Sequence, residues 1–312
     1  MNLQDKIYVA GHKGLVGSAI VRRLEADGFR NIVIRTRQEM DLARQEAVES
    51  FFANERPAYV FLAAAKVGGI HANQSQGGAF IYENLIVQSN VIHAAYRQNV
   101  KKLLFLGSSC IYPKLAPQPM REECLLSGLL EPTNEPYAVA KIAGIKMCEA
   151  YNRQYGTSFM SVMPTNLYGP NDNYNLETSH VLPALIRKIH EAKIRKIPEI
   201  VLWGTGKARR EFLYADDLAE ACVFLMRTYD ATGLGGIMNI GCGKDLTIAE
   251  LAQTIADMVG YMGKFTYDSS KPDGTPQKLL DITRITRLGW APKTSLVNGL
   301  HKTYEAYCSS LK

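Results

Sequence analysis

The chain has 312 residues, of which 46% are hydrophobic and 21% charged, and its formal net charge is +6. This length suits one large α/β unit or two closely built domains, and the composition excludes a disulfide-stapled miniprotein and a disordered polymer. No apolar stretch approaches the roughly 20 residues that cross a bilayer, so no membrane partner is expected. The six scattered cysteines and the absence of a basic, apolar leader predict a cytoplasmic protein with reduced thiols and no metal.

Short apolar runs alternate with longer helical patterns in the first half of the chain. This order is typical of a parallel sheet covered by helices. The predicted strands are residues 7–10, 32–34, 59–62, 103–106 and 160–163, and the predicted helices are residues 16–25, 46–54, 80–98 and 137–155. The sequence therefore predicts an α/β fold with a Rossmann-type doubly wound parallel sheet, built mainly from residues 1–165.

The pattern becomes less regular after Pro164. Its predicted elements are a polar loop, a helix, a strand and a final helix, at residues 170–175, 181–192, 200–203 and 296–308. We expect residues 166–312 to form mainly a smaller C-terminal α/β domain that holds a substrate over the sheet edge. Within it, residues 215–240 are expected to return to the first domain.

Three glycines spaced three residues apart, Gly11, Gly14 and Gly17, stand where the first predicted strand meets its helix. This spacing permits a tight turn, lets a pyrophosphate approach the backbone and allows the helix to pack on the strand. The N-terminus of the helix also attracts the anion. A purely structural glycine turn is the alternative, but the position inside a βαβ unit favours dinucleotide binding.

The second predicted strand leads into Ile34, Arg35, Thr36 and Arg37, where an NAD-binding fold usually carries a carboxylate for the ribose hydroxyl. A carboxylate would repel a 2′-phosphate, whereas Arg35 or Arg37 can bind it through charge-assisted hydrogen bonds. Lys13 adds positive charge from the glycine turn. The alternative is a solvated strand end, but we expect NADP(H) as the cofactor.

Ser108 follows the fourth predicted strand, and Tyr137 and Lys141 open the next helix four residues apart. Such positions share one helix face, so the ammonium can lie near the phenol and lower its pKa from about 10. A tyrosine of this kind can protonate a carbonyl oxygen as hydride arrives at its carbon. The spacing is weak evidence alone, but its order after Ser108 and the glycine turn indicates a reductase.

Together these motifs resemble those of the extended short-chain dehydrogenase/reductases that act on nucleotide sugars. Residues 210–217 are similar to a second signature of that family, in its substrate region. Further matching segments lie at residues 63–69, 107–113, 131–135, 164–170 and 272–276. They narrow the resemblance to members that use NADPH to epimerise GDP-4-keto-6-deoxymannose at carbons 3 and 5 and to reduce its 4-keto group.

The resemblance implies five catalytic residues, Ser108, Cys110, Tyr137, Lys141 and His180. Cys110 is implied as the base and His180 as the acid of epimerisation. Ser108 and Tyr137 would bind and protonate the carbonyl oxygen, and Lys141 would hold the nicotinamide ribose. From the residues alone, a lone cysteine is more often a core residue and a lone histidine a surface or capping residue; the resemblance reverses that weighting.

The resemblance also implies which residues bind the two ligands. For the cofactor they are Gly11, Lys13, Gly14, Leu15, Val16, Gly17, Arg37, Asp41, Leu42, Leu106, Gly107, Lys141, Pro164, Asn166, Leu167 and His180. For the GDP-sugar they are Asn166, Lys188, Trp203, Arg210, Asp273 and Lys278. Arg210 or its neighbour Arg209 would pair with the diphosphate, and Trp203 would lie against a ring or sugar surface.

Other functions fit the sequence less well. A related GDP-4-keto-deoxysugar epimerase/reductase, for example of the colitose type, would use the same acid and base. A non-catalytic NADP-binding regulator is disfavoured because Tyr137 and Lys141 are both present. No basic stripe interleaved with aromatic residues is present, so no nucleic-acid partner is expected. By family analogy, the helices at residues 80–98 and 137–156 are expected to form a homodimer.

Overall fold

The structure, a computed structural model, describes residues 1–311. Its strands are β1 Ile7–Ala10, β2 Ile32–Val33, β3 Tyr59–Leu62, β4 Lys102–Leu106, β5 Phe159–Pro164, β6 Asn166–Tyr168, β7 Glu199–Trp203, β8 Arg209–Tyr214, β9 Met238–Ile240, β10 Asp245–Thr247, β11 Lys264–Asp268 and β12 Gln277–Lys278. Its α-helices are α1 Leu15–Ala26, α2 Gln45–Glu55, α3 Ile70–Ser75, α4 Gly77–Arg97, α5 Glu135–Tyr155, α6 Val181–Ile194, α7 Ala215–Thr228, α8 Ala231–Leu234, α9 Ile248–Val259, α10 Thr283–Arg287 and α11 Leu296–Ser310.

The main sheet has the strand order β2-β1-β3-β4-β5-β9, and all its pairings are parallel. β1 and β3 are buried along their whole length because helices cover both faces of the sheet. The strand order reverses between β1 and β3, so the turn after β1 opens at the position where doubly wound sheets bind ligands. The predicted Rossmann-type fold is therefore confirmed.

Two helical layers enclose the main sheet. On one face, Ile20 of α1 and Leu218 of α7 are fully buried in one apolar cluster with β1. On the other face, Val48 of α2, Val91 of α4 and Ile145 of α5 are fully buried in a second cluster. This packing holds the C-terminal ends of the parallel strands at one edge, where the predicted site residues lie.

The second half of the chain builds a smaller structure around β8. This strand pairs with β6 and β12 in parallel and with β10 in antiparallel orientation, while β7 pairs with β11. Helices α6, α9 and α11 pack together through Leu185, Ile255 and Leu300. Residues 215–228 form α7, and β9 pairs with β5 in the main sheet. The division of the chain at residue 165 stays a prediction.

Some elements begin or end at other residues than predicted. β2 ends at Val33 because Ile34 is 38% exposed and the next turn is closed by Glu39, whose carboxylate accepts bonds from the Thr36 N–H and hydroxyl. α5 begins at Glu135, since proline is tolerated in a first helical turn and Pro136 fits there. Among residues 1–311, no helix combines the length and apolar character needed to cross a bilayer.

Candidate active site

The glycine turn after β1 brings two backbone segments into close contact. Gly11 has a φ of +85°, and a methyl group on Gly17 would come within 2.1 Å of the Gly11 carbonyl oxygen. Only glycine permits this approach, which fixes α1 against the end of β1. A methyl group on Gly14 would meet nothing nearer than the Gly11 carbonyl oxygen, 3.5 Å away, so the outer side of the turn is open.

The N-terminus of α1 faces this opening with unpaired donors. No side chain caps the helix, and the N–H groups of Leu15, Val16 and Gly17 lie in the first turn, where intrahelical partners do not exist. Lys13 is exposed beside them. Oriented N–H groups, the positive end of the helix dipole and a nearby ammonium fit the pyrophosphate of a dinucleotide.

The two arginines after β2 differ in their freedom. The Arg35 guanidinium lies 2.6 Å from the Glu55 carboxylate and also donates to the Ile34 carbonyl, so it is held against α2. The Arg37 side chain is 73% exposed, and its nearest carboxylates, on Asp41 and Glu83, are 3.9 Å away. Of the two predicted phosphate ligands, Arg37 is therefore the more exposed and the less engaged, while Arg35 is held in an ion pair.

Asp41 and Leu42 follow Arg37 in the turn that leads to α2. The Asp41 carboxylate accepts the Ala43 N–H at 3.0 Å, and the Leu42 carbonyl accepts the Asn90 amide at 2.9 Å. These bonds fix the turn to itself and to α4. The turn that carries Arg37 is thus held in place by hydrogen bonds.

Ser108 and Lys141 meet at the C-terminal end of β4. The Lys141 ammonium donates to the Leu106 carbonyl at 2.7 Å and lies 5.8 Å from the centre of the Tyr137 ring. Ser108 caps the short turn over residues 109–111, where its hydroxyl accepts the Cys110 N–H at 3.2 Å. The structure therefore brings four of the five predicted catalytic residues together at this edge.

The protonation of Tyr137 and Lys141 is governed by burial. Desolvation lowers the pKa of Lys141 to about 7. Desolvation, followed by the charge of Cys110, raises the pKa of Tyr137 above its usual value, and a hydrogen bond with Ser108 only partly opposes this. The predicted lowering of the phenol pKa is wrong here, because desolvation of the buried phenol dominates and the Lys141 ammonium donates to the Leu106 carbonyl instead. A phenol that keeps its proton suits a proton donor.

The Cys110 thiol lies beside two cations. Lys278 of β12 pairs in register with Arg210 of β8, and the Lys278 ammonium is 3.3 Å from the Cys110 Sγ. Burial alone would raise the pKa of Cys110, but the charge of Lys278, the hydrogen bond with Ser108 and the charge of Arg210 outweigh it, so the pKa is lowered. The arrangement favours a thiolate, which is the basic form.

Asn134 is a further contact of the thiol that sequence reasoning missed. Its side-chain amide donates to the Cys110 Sγ at 3.4 Å, from the residue that precedes α5. The residue lies inside the segment 131–135 that carried part of the family resemblance, which was the available signal. An amide donor stabilises a thiolate further.

His180 stands at the N-cap of α6. His180 is exposed to solvent on one side, while the protein atoms packed around its ring desolvate the imidazole and lower its pKa, and the charge of Lys278 lowers it further. Lys278 thus acts electrostatically on both His180 and Cys110. The fifth predicted catalytic residue therefore lies within electrostatic reach of the lysine that contacts Cys110.

Predicted substrate residues also lie close to one another, and we call the surface between Lys188, Trp203 and Arg210 the cleft. The Lys188 ammonium lies 5.9 Å from the centre of the Trp203 ring, which is 53% exposed. Arg210 donates to the Asp273 carbonyl at 3.1 Å and retains free guanidinium donors. A cationic rim beside an exposed aromatic face suits a nucleoside diphosphate.

Two neighbouring charged groups are already engaged by the protein. The Arg209 guanidinium lies 2.8 Å from the Asp245 carboxylate, so the suggestion that Arg209 pairs with a diphosphate is corrected. Adjacent residues of a strand face opposite sides, which leaves Arg210 to face the cleft. The Asp273 carboxylate accepts the Thr205 N–H and hydroxyl, each at 2.8 Å, and thereby closes the turn after β7.

Glu211 is a second residue whose importance the sequence did not reveal. Its carboxylate, fully buried, accepts the N–H groups of Cys242, Gly243 and Leu280 at 2.6, 2.7 and 3.0 Å. Its carbonyl accepts the Asn166 amide at 2.8 Å. Glu211 thereby fixes β12, and so Lys278, relative to β8.

The remaining predicted cofactor residues lie at neighbouring strand ends. Gly107 follows β4, Pro164 ends β5, and Leu167 lies in β6. The C-terminal ends of β4 and β5 lie at the same edge of the main sheet as the glycine turn, so Gly107 and Pro164 lie there too, whereas Leu167 belongs to the sheet around β8. Within residues 1–311, no group of three or more histidine, cysteine or acidic side chains is arranged to hold a metal ion.

The sequence matches a family model described as "NAD dependent epimerase/dehydratase family" over residues 7–241. The chain belongs to this family. It is therefore an enzyme of a nicotinamide-dinucleotide family, which confirms the predicted class of activity and cofactor. The glycine turn, the uncapped helix and the strand ends described above fit that cofactor.

Several known proteins are similar to this chain over nearly their whole length. A GDP-L-fucose synthase from Arabidopsis thaliana is 60% identical over 98% of this chain and 94% of its own length. A GDP-L-fucose synthase from Escherichia coli K12 is 56% identical over 97% of this chain and 96% of its own. The solved structure of a GDP-mannoheptose C4 reductase from Campylobacter jejuni with NADP bound is 41% identical, covers 99% of both chains and has a TM-score of 0.90.

Proposed function

We propose that the protein is a GDP-L-fucose synthase. It converts GDP-4-keto-6-deoxy-D-mannose into GDP-L-fucose by epimerisation at carbons 3 and 5 and reduction at carbon 4. The observation that carries the proposal is the Cys110 thiol of lowered pKa, 3.3 Å from Lys278 and beside the hydroxyls of Ser108 and Tyr137. The identity of 60% and 56% to two relatives of that name supports it.

NADP(H) is the cofactor in this proposal. The N–H groups at the start of α1 would bind the pyrophosphate, and Arg37, exposed and weakly paired, would bind the 2′-phosphate. The carboxylate nearest in sequence, Glu39, is engaged by Thr36. The nicotinamide supplies a hydride when the cofactor is bound.

Epimerisation requires a base and an acid on opposite faces of the sugar, because a 4-keto group acidifies the hydrogens on carbons 3 and 5. The Cys110 thiolate removes a proton, and the electron pair moves to the carbonyl oxygen as an enolate. The hydroxyl of Ser108 donates a hydrogen bond to that oxygen. His180 returns a proton to the other face, and its position at the solvent border lets it exchange protons with water.

The proton on His180 depends on the bound substrate. Its lowered pKa favours the neutral imidazole before substrate binds. A diphosphate carries two negative charges, and negative charges raise the pKa of a nearby imidazole because they stabilise the protonated ring. Lys188 and Arg210, at the rim of the cleft, attract the diphosphate and so bring that charge to the site.

Reduction completes the reaction at the same carbonyl. Tyr137 gives its proton to the carbonyl oxygen as carbon 4 receives the hydride. Its raised pKa keeps that proton in place at neutral pH, and Ser108 holds the oxygen. Lys141, with a pKa of about 7, would hold the nicotinamide ribose and help restore the proton of Tyr137.

The alternative is a related GDP-4-keto-sugar enzyme that epimerises one carbon or none. Its support is the 41% identity to a GDP-mannoheptose C4 reductase. A pure reductase needs no acid and base for the carbons next to the carbonyl, whereas this site holds Cys110 and His180 near one lysine. A colitose-type enzyme would need that pair as well.

Product stereochemistry tests the proposal. The full-length protein is incubated with NADPH and GDP-4-keto-6-deoxy-D-mannose, and the ring configuration of the product is read by NMR. Galactose-type configuration at carbon 4 with inversion at carbons 3 and 5 is expected. Inversion at carbon 5 alone would favour the colitose type, and no inversion would favour a pure reductase.

We also propose a homodimer and a cytoplasmic location. Helices α4 and α5 pack on each other, and Tyr82 and Val139 on their outer surfaces are 64% and 40% exposed. Ile142 is buried and belongs to the core instead. Sedimentation equilibrium of the wild-type protein and of a Val139→Glu variant tests the dimer, since a buried charge would separate the subunits.

A further inference from the structure

Two adjacent glycines, Gly68 and Gly69, lie between β3 and α3 against the loop that leads to His180. The Gly69 N–H donates to the Thr178 carbonyl at 2.9 Å. A methyl group on Gly69 would lie 2.4 Å from the Ser179 carbonyl oxygen. The contact therefore leaves no room for a side chain at position 69, which packs against the backbone of Ser179, the residue before His180.

The conformation of Gly69 does not itself require glycine. Its φ is −68° and its ψ is −179°, values that every L-residue adopts. The need for glycine arises from the neighbouring backbone alone. A side chain at this position would displace the loop before His180 and leave the local backbone conformation unstrained.

Asparagine side chains hold the glycine segment rigid on the side of the main sheet. The Asn73 amide donates to the carbonyls of Gly68 and Gly69 at 2.8 and 3.0 Å. The Asn84 side chain accepts the Lys66 N–H at 3.1 Å and donates to the Lys66 carbonyl at 3.0 Å. Both asparagines are buried, so the segment is a fixed surface.

The loop is anchored at both of its ends as well. His180 begins α6, whose Leu182 and Ile186 are buried in the core of the second half of the chain. Near the start of the loop, the Asn171 amide donates to the Ser18 hydroxyl of α1 at 3.1 Å. Contact with Gly69 fixes the part of the loop between these anchors, next to the imidazole.

The same pair of glycines also touches the support of Tyr137. A methyl group on Gly68 would lie 3.1 Å from the tip of the Phe80 ring. Phe80 is buried and meets the Tyr137 ring edge to face, with 6.3 Å between ring centres. One rigid backbone segment therefore contacts both the loop of His180 and the ring behind Tyr137.

We propose that Gly69, held by Asn73, is a positioning residue that sets His180 relative to Cys110 and Tyr137. It touches no reacting atom, and it acts by letting two backbones approach more closely than any side chain permits. The role of His180 as a proton donor rests on the proposed function. The placement of the imidazole does not, so it has a test of its own.

The test uses Gly69→Ala, with Gly78→Ala as the matched control. A methyl group on Gly78, in the first turn of α4, meets nothing within 4 Å. Each full-length variant is labelled with 13C-histidine, and the His180 ring signal, assigned with a His180→Asn variant, is titrated by NMR. Solvent deuterium incorporation into the keto sugar and NADPH affinity are measured alongside.

In Gly69→Ala, we expect the His180 pKa to rise towards the ordinary value near 6.5, because the displaced ring moves away from the protein atoms packed around it and from Lys278. Deuterium incorporation falls about tenfold or more, since a small misplacement of a reacting group is costly. Gly78→Ala behaves as wild type in each measurement. A merely structural role would not move the titration of one imidazole in a folded protein.

Asn73→Asp provides a second variant, because a carboxylate cannot donate to the two glycine carbonyls. We expect the same changes in smaller degree, and this variant decides the question if Gly69→Ala does not fold. An unchanged His180 titration in a folded variant overturns the proposal. If the wild type does not epimerise the sugar, the proposed function fails, while the titration still tests the placement of His180.

Discussion

The Nζ atom of Lys278 lies 3.3 Å from the Sγ atom of Cys110, although 168 positions separate the two residues in the chain. The contact joins the short turn after β4 to β12 of the second half of the chain. The base of the proposed epimerisation is therefore activated by a residue of the element that also pairs with Arg210. The thiol is therefore activated only when the two halves of the chain are packed together.

Replacing Lys278 with glutamine should raise the pKa of Cys110, because burial then acts with less opposition. At pH 7 we expect the alkylation rate of Cys110 by iodoacetamide and the deuterium exchange of the sugar both to fall about tenfold or more. Peptide mass spectrometry reports the alkylation of this cysteine separately from the other five. The matched control is Lys264→Gln, on exposed β11. A thiol titration identical to wild type would show that Lys278 does not activate Cys110.

Replacing Arg37 with alanine should weaken NADPH binding about tenfold or more and leave NADH binding nearly unchanged. A charge-assisted bond to the 2′-phosphate is worth about 1.5–3 kcal/mol, and NADH lacks that group. Quenching of protein fluorescence gives the dissociation constants for NADPH and for NADH. Arg35→Ala is the control, because Arg35 is paired with Glu55. Equal losses for the two cofactors in Arg37→Ala would refute the phosphate contact.

Asp172 should make the protein less stable as the pH rises from about 4 to about 7. Burial raises its pKa to about 7: one carboxylate oxygen accepts the Asn173 N–H, and the other has no partner. A raised folded-state pKa gives stability that is full below the unfolded pKa near 4 and is lost as the pH rises through 7. At pH 8, Asp172→Asn should therefore be more stable by about 2–4 kcal/mol.

Urea denaturation of Asp172→Asn and wild type across pH 4–8 measures this difference. The control is Asp257→Asn, because Asp257 is exposed on α9 and pairs only with Gln253. Two stability curves that run parallel over this range would show that Asp172 is ionised at little cost.

The sequence predicted the parts of the site that depend on local order. β1 and β3 begin and end at the predicted residues, and the glycine turn lies where its spacing places it. Such features are visible because strand, turn and helix follow one another within about twenty residues. The long-range contact between Cys110 and Lys278 was not visible, since β12 has two residues and no pattern of its own.

The sequence also could not predict the direction of a pKa shift or the side of a strand that a side chain faces. Arg209 and Arg210 are adjacent arginines that the sequence cannot tell apart. Because side chains alternate along β8, Arg209 faces Asp245 and Arg210 faces the cleft. The spacing of Tyr137 and Lys141 predicted a lowered phenol pKa, but desolvation affects both groups more strongly than they affect each other. Burial depends on packing by the whole fold.

Replacing Tyr137 with phenylalanine should separate the two stages of the reaction. The variant lacks the proton that the carbonyl oxygen receives during hydride transfer, so we expect NADPH oxidation to fall by about 10²-fold or more. Deuterium exchange should stay within a few-fold of wild type, because Cys110, Lys278 and Ser108 are untouched. Absorbance at 340 nm reports the first quantity, and NMR of the sugar in deuterium oxide reports the second.

The control for this experiment is Tyr82→Phe, which removes a hydroxyl from the exposed face of α4. In the wild type, the raised pKa of Tyr137 keeps the phenol protonated, so its ionisation should not limit reduction between pH 6 and pH 9. If Tyr137→Phe loses exchange and reduction to the same extent, the phenol is needed to form the enolate itself. The separate roles of thiol and phenol would then be wrong, since one hydroxyl would govern both stages.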